Sequence, residues 1–182
     1  MTQVWTKQHV KVLELLETEG GFFAKRKFVQ NDLDKDAELM ALVYDELVKN
    51  HPQLHKKPEA AEVPVWVSFS YEATMKRTRN FVILNLEIPD FEITKINIAK
   101  WGMMLNYSYI PESHEDEKRH HEFMRNCGVD DATAVMTRFY PELKREILDS
   151  WKRLFDDSVQ VGNGSCYGLV WQLKKEWLKG VL

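Results

Sequence analysis

The chain has 182 residues, 44% hydrophobic and 29% charged, with a formal net charge of −3. This size buries a core without staples, and this balance excludes an intrinsically disordered chain. It also excludes a histone-like polyanion binder, but it leaves room for a local basic patch, because local charge density attracts phosphate. Cys127 and Cys166 stand far apart in no C-x-x-C pattern. Neither a disulfide scaffold nor a thiolate zinc site is expected, and a reducing cytoplasm is the expected setting. The opening "MTQVWTKQHV" has no apolar run of signal-peptide length, and no stretch approaches the roughly 18 apolar residues of a membrane span, so no membrane partner is expected.

In chain order, "TQVWTK" reads as a short strand start around Val4 and Trp5. Residues 8–19 read as a helix with Val12, Leu13, Leu15 and Leu16 on its apolar side, ended by Gly20-Gly21. In "FFAKRKFVQNDLD", Phe22, Phe23 and Phe28 call for burial while Lys25, Arg26 and Lys27 call for water. A second helix has Ala37, Met40, Ala41, Tyr44, Leu47 and Val48 at the spacing of one face, with Asp34 as N-cap and His51-Pro52 as its stop. The proline-bounded run 52–64 reads as an exposed loop. Residues 65–71 and 81–88 alternate apolar and polar, the mark of half-buried strands. The link between them suits an antiparallel hairpin, with a longer crossover left open.

Asn97 can cap a short helix bearing Ile98, Trp101 and Leu105. Ser113 with Asp116 resembles a capping box opening a polar surface helix, which Gly128 ends. Pro141 suits the first turn of a last long helix with Leu143, Ile147, Trp151 and Leu154 on its buried side. "GNG" at 162–164 is a turn, and "CYGLVWQL" is a closing strand. The expected fold is α+β. It has one domain over 1–182, a small, mainly antiparallel sheet, about five helices around it, a projecting basic hairpin, and residues 113–140 as a helical appendage.

Three groups of residues carry candidate chemistry. Lys76, Arg77 and Arg79 fall within four residues of a net acidic chain, with Tyr71 and Phe81 nearby. This is either a soluble turn or a nucleic-acid contact that joins cations for phosphate to aromatics for bases. Lys25, Arg26 and Lys27, and Lys56 with Lys57, would extend such a track if the fold brought them to the same side. In "HEDEKRHHE", Asp116 with His120 and Glu117 with His121 are i,i+4 pairs, suited to acid–base work or to plain surface charge pairing. No third ligand has a diagnostic spacing, so no metal is expected. Finally, Gln8, Asn85, Glu87 and Asn106 sit on elements that otherwise look like core. A buried carboxylate costs several kcal/mol unless paired, so Glu87 faces solvent, meets a cation or lines a cleft. Glu87, Gln8, His120 and His121 are the catalytic candidates. The phosphate-loop, dinucleotide-fold, serine-hydrolase and zinc-protease motifs are absent, and no cofactor is expected.

Trp5, Thr6, Gln8, Trp66, Glu87, Pro89, Trp101, Asn106, Trp151 and Trp171, in this order, resemble an uncharacterised bacterial family catalogued as a domain of unknown function, with an opening W-T-x-Q. Two positions depart from that pattern: Glu46 replaces a tryptophan after Tyr44-Asp45, and Tyr167 replaces a glutamine. In length and charge the chain also looks like mobile-element anti-CRISPR proteins that disarm Cas9-type nucleases, one group of which acts on the guide RNA. That likeness implies an RNA-directed interaction protein that binds guide RNA or promotes its truncation, with guide RNA and a Cas9 nuclease as partners. The alternatives are a small ADP-ribosyltransferase-like enzyme, with Gln8 and Glu87 imitating its NAD-holding parts, and a pure protein–protein inhibitor.

Overall fold

The computed structural model describes residues 1–27, 37–74, 76 and 78–182, the backbone alone at 37–39. Asp34, Phe28, Met75 and Arg77 lie outside the described residues. Contacts divide the chain into two compact units. One comprises Met1–Asp32, Pro52–Ile96 and Cys166–Leu182; the other comprises Leu33–His51 and Asn97–Ser165.

The first unit holds the strands β1 (Thr2–His9), β2 (Gly21–Phe22), β3 (Val65–Val67), β4 (Phe81–Ile88), β5 (Thr94–Asn97, through Ile96), β6 (Cys166–Val170), β7 (Leu173–Lys174) and β8 (Leu178–Val181), with helix α1 (Val10–Glu19). They form small sheets in the orders β1-β4-β8, β2-β7 and β3-β6-β5, and β1–β4, β2–β7, β3–β6 and β4–β8 pair antiparallel. An isolated antiparallel bridge joins Trp5 to Ser68 through reciprocal hydrogen bonds of 2.9 and 2.7 Å. The core takes one face of each strand, in the period-two pattern the sequence shows: Val4 from β1, Leu84 and Leu86 from β4, Val65 and Val67 from β3. Val12 and Leu16 of α1 close over it, and Gly20 ends α1 in the left-handed conformation (φ 78°) that its lack of a Cβ permits.

The α+β class and the small antiparallel sheets match the expectation from sequence. The hairpin does not. β3 pairs with β6, whereas β4 has both edges occupied, by β1 and β8. Since β1 runs antiparallel to β4 and, at the Trp5–Ser68 bridge, to the end of β3, the chain passes over β1 between them. The basic link is therefore a crossover between parallel-running segments. Alternation reports which face of a strand is buried and is silent on its partner, which is why the hairpin misled. Strand β1 also runs to His9, so α1 starts two residues later than expected, and β5 and β8 carry no clear sequence signal.

Gly168 on β6 sits opposite Val67. A Cβ there would lie 2.7 Å from Val67 Cγ2 and 2.8 Å from Ile93 Cγ2. Gly168→Ala is expected to destabilise the chain by ~1–3 kcal/mol through overpacking, read as a lowered midpoint in urea denaturation.

The second unit is helical: α2 (Ala37–Lys49), α3 (Ile98–Leu105), α4 (His114–Cys127), α5 (Asp131–Met136) and α6 (Pro141–Ser150), followed by a 3-10 turn, Trp151–Phe155. Asn97 and Ser113 cap α3 and α4 as expected, each side chain accepting a backbone N–H. Gly128 closes α4 in the left-handed conformation. Val43 and Leu47 are fully buried on α2, so its inward face is turned from the one the spacing suggested, and Tyr44 is half-buried edge-on to Trp101. Leu143 and Ile147 are buried on α6, while Trp151 and Leu154 fall in the 3-10 turn. Among the described residues, no helix is long and apolar enough to cross a membrane.

Candidate nucleic-acid interface

The crossover begins as a tightly stitched turn. Ser68 Oγ donates to the Ser70 carbonyl at 2.7 Å and accepts the Ser70 N–H at 3.3 Å. Ser70 Oγ accepts the Ala73 N–H, Thr74 Oγ1 donates to the Ser70 carbonyl, and the Thr74 N–H reaches the Tyr71 carbonyl at 3.0 Å. From β6, Tyr167 Oη donates to the Ala73 carbonyl at 2.8 Å. Serine and threonine serve here because short hydroxyl side chains bond their own backbone one turn away.

The far end is also fixed. The Phe81 N–H bonds the Thr78 carbonyl at 3.0 Å, Asn80 takes a left-handed φ of 67°, and its carbonyl accepts the Val10 N–H at 2.9 Å. Asparagine tolerates that conformation better than most residues. Between these ends Lys76 and Arg79 are exposed, and neither forms an ion pair among the described residues. Tyr71 is 47% exposed.

The β1–β4 register brings Lys7 and His9 to this end of the sheet. His9 stands opposite Phe81 and packs edge-on to its ring at 5.3 Å, and Lys7 Nζ lies 5.1 Å over the same ring. Lys11, exposed, donates its backbone N–H to His9 Nδ1. Lys7 and His9 carry no such signal in the sequence, because only the strand register places them beside Phe81.

The other basic residues that the sequence suggested for this track have partners of their own. Lys25 pairs with Glu62 at 3.4 Å, and Glu62 also accepts the Arg26 N–H at 2.9 Å, which, with Lys25, holds its carboxyl below the usual range. Lys27 is exposed, Lys56 lies 5.7 Å over the Phe91 ring, and Lys57 Nζ donates to the Ala61 carbonyl.

Within the strand-built unit, Glu87 and Gln8 lie on opposite faces of the sheet. Glu87 lies opposite Gln3 on β1 and pairs with Lys179 at 2.8 Å, an ion pair that lowers its pKa. Asn85 on the same face accepts from Gln3. Gln8 is opposite Val82 and faces the other side of the sheet, donating to Thr6 Oγ1, which donates to the Trp66 carbonyl at 2.7 Å. Gln3 and Gln8 are about 17 Å apart along the strand.

In the helical unit His120 is 2% exposed, stacked on Tyr109 at 4.0 Å, with Nε2 2.8 Å from Asp131 and Nδ1 3.6 Å from Glu146. Its neighbour His121 is exposed. Asp116 does not meet His120. It accepts from Tyr109 Oη and pairs with Arg119 at 3.0 Å and Arg153 at 3.1 Å. Burial opposes its ionisation, but the Glu112 N–H, Arg119, Tyr109 and Arg153 hold its pKa below the ordinary value. Asp116, paired in this way with Arg119 and Arg153, is a structural brace for α4. Among the described residues, no three His, Cys, Asp or Glu side chains are grouped to hold a metal ion. A depression of about 240 Å³ between α2 and α6, lined by Glu46, Lys49, Lys144 and Arg145, falls below the usual size of ligand pockets.

Fold and surface thus define an α+β protein with a strand-built unit, a helical unit and an exposed basic crossover. The chain belongs to the family described as a domain of unknown function, DUF3841, whose model matches residues 3–179. No curated protein and no solved structure matches it.

Proposed function

We propose that this chain is an RNA-directed binding protein that contacts phosphates through its basic crossover. The observation that carries this reading is the exposure of Lys76 and Arg79, with no carboxylate partner among the described residues, on a connection pinned at both ends. In a chain of net charge −3, exposed cations on a connection that leads into Phe81, with Lys7 over that ring, give a local field for polyanions. Phosphate contacts supply affinity and little sequence reading, so the surface is a grip on RNA, and the expected compartment is the cytoplasm. Guide RNA of a Cas9-type nuclease is the RNA of first choice, since inhibition of such a nuclease is the role implied by the likeness drawn from sequence.

The test is a filter-binding titration with structured RNA across a range of salt. Lys76→Glu with Arg79→Glu is expected to weaken binding at least tenfold and to make the log–log salt slope shallower by about 1.5, because two phosphate contacts are lost. Lys25→Glu, at a lysine already paired with Glu62, is expected to matter less. Affinity unmoved by the double reversal, or flat against salt, would sink the proposal.

Protein–protein binding is favoured by a separate observation. Phe139 is 84% exposed, Met136 54% and Phe123 41%, all in the helical unit. A partner retained after RNase digestion would favour that reading.

A further inference from the structure

The Ser70–Thr74 turn carries more order than a charged connection needs for solubility. Ser68, Ser70, Thr74 and Tyr167 fix the backbone on either side of Tyr71, yet the Tyr71 ring is 47% exposed. Phe81, the other aromatic of the crossover, differs: Lys7 occupies its face and His9 packs against it. Phe81 positions a cation, whereas Tyr71 is presented to solvent.

We infer that the RNA taken by this surface is unpaired, with a base stacked on Tyr71 while Lys76 and Arg79 contact phosphates of the same strand. This rests on the RNA-binding reading above. In an A-form duplex every internal base face is covered by its neighbours, and the major groove is too deep and narrow for side chains to read. An exposed ring finds a free base face only on an unpaired nucleotide. Any base offers such a face, so stacking adds affinity without sequence preference. A turn already held by hydrogen bonds loses little backbone freedom when the base docks. Lys76 follows Tyr71 by five residues, at most about 18 Å of extended chain, a span that a few nucleotides of one strand cover.

Fluorescence anisotropy of the full chain with a short oligouridine RNA and with a blunt RNA duplex of equal phosphate number tests this. The chain is expected to bind oligouridine more tightly than the duplex. Tyr71→Ala is expected to weaken oligouridine binding roughly 5- to 150-fold and leave duplex binding unchanged, while Tyr71→Phe keeps the ring and the affinity. Melting temperatures establish that both variants fold. Equal losses on the two RNAs, no loss on either, or Tyr71→Phe failing as Tyr71→Ala does would overturn the inference. If Lys76→Glu with Arg79→Glu abolishes binding while Tyr71→Ala changes nothing, RNA binding stands and stacking falls. If the native chain binds neither RNA, the RNA-binding reading fails and takes the inference with it.

Discussion

Replacing Trp151 by alanine is expected to destabilise the chain by about 3–5 kcal/mol, the range for removing a large aromatic from a core that only partly relaxes. Trp151 is completely buried, and its Nε1 donates to the Ser108 carbonyl at 2.8 Å. The substitution therefore leaves a cavity and an unsatisfied carbonyl, and the second loss adds to the first. For a chain of this size the melting temperature should fall by roughly 6–20 °C. Trp151→Phe fills most of the volume and should lie between the two. A Trp151→Ala protein melting within a degree or two of the native chain would contradict the packing described for the 3-10 turn.

Acid is expected to destabilise the chain in a window set by His51. This histidine is 4% exposed and packs against Phe155 with ring centroids 5.4 Å apart. Burial disfavours its charged form and lowers its pKa to about 4. The unfolded chain takes up the proton near the ordinary histidine value, so between that value and about 4 the unfolded state holds more protons than the folded one, and stability rises with pH. Stability is whole at pH 7, falls as pH drops through the window, and gains no further loss from His51 below it. The span corresponds to roughly 3 kcal/mol. Asp116, Asp149 and Asp156 have depressed pKa values and act at lower pH, which keeps the two effects separable. His51→Phe is expected to flatten the stability profile between pH 6.5 and 4, whatever constant offset it brings, in urea titrations at stepped pH. An unchanged slope would remove His51 from the account.

The sequence made some of this legible, for physical reasons that differ by residue. Gly20, Ser113, Asn97 and Gly128 act through contacts within one turn of chain, so local chemistry was enough to find them. The alternation of β4 was equally plain. Its partners were not, because register and neighbour depend on residues more than seventy positions away, such as His9 against Phe81. The exposure of Lys76 and Arg79 followed from the polarity of their segment, whereas the place of Lys7 over the Phe81 ring came only with the β1–β4 pairing. His120 and Lys100 show the limit most clearly. Both are ionisable side chains of a kind that ordinarily stays in water, yet each is 2% exposed. His120 is held between Asp131 and Glu146, and Lys100 Nζ donates to the Arg153 and Asp156 carbonyls at 2.9 and 2.6 Å. Partners that make such burial tolerable lie in other elements, and no spacing rule reaches them.

The most direct test of the proposed interface is a map of where RNA touches the chain. The protein would be photo-crosslinked to 4-thiouridine-labelled oligouridine, digested, and read by mass spectrometry. The account expects crosslinks on peptides containing Tyr71, Lys76 and Arg79, with Lys7 or His9 as secondary sites, and their loss in the Lys76→Glu, Arg79→Glu protein. Crosslinks confined to residues 97–165, or unaffected by the double reversal, would contradict it.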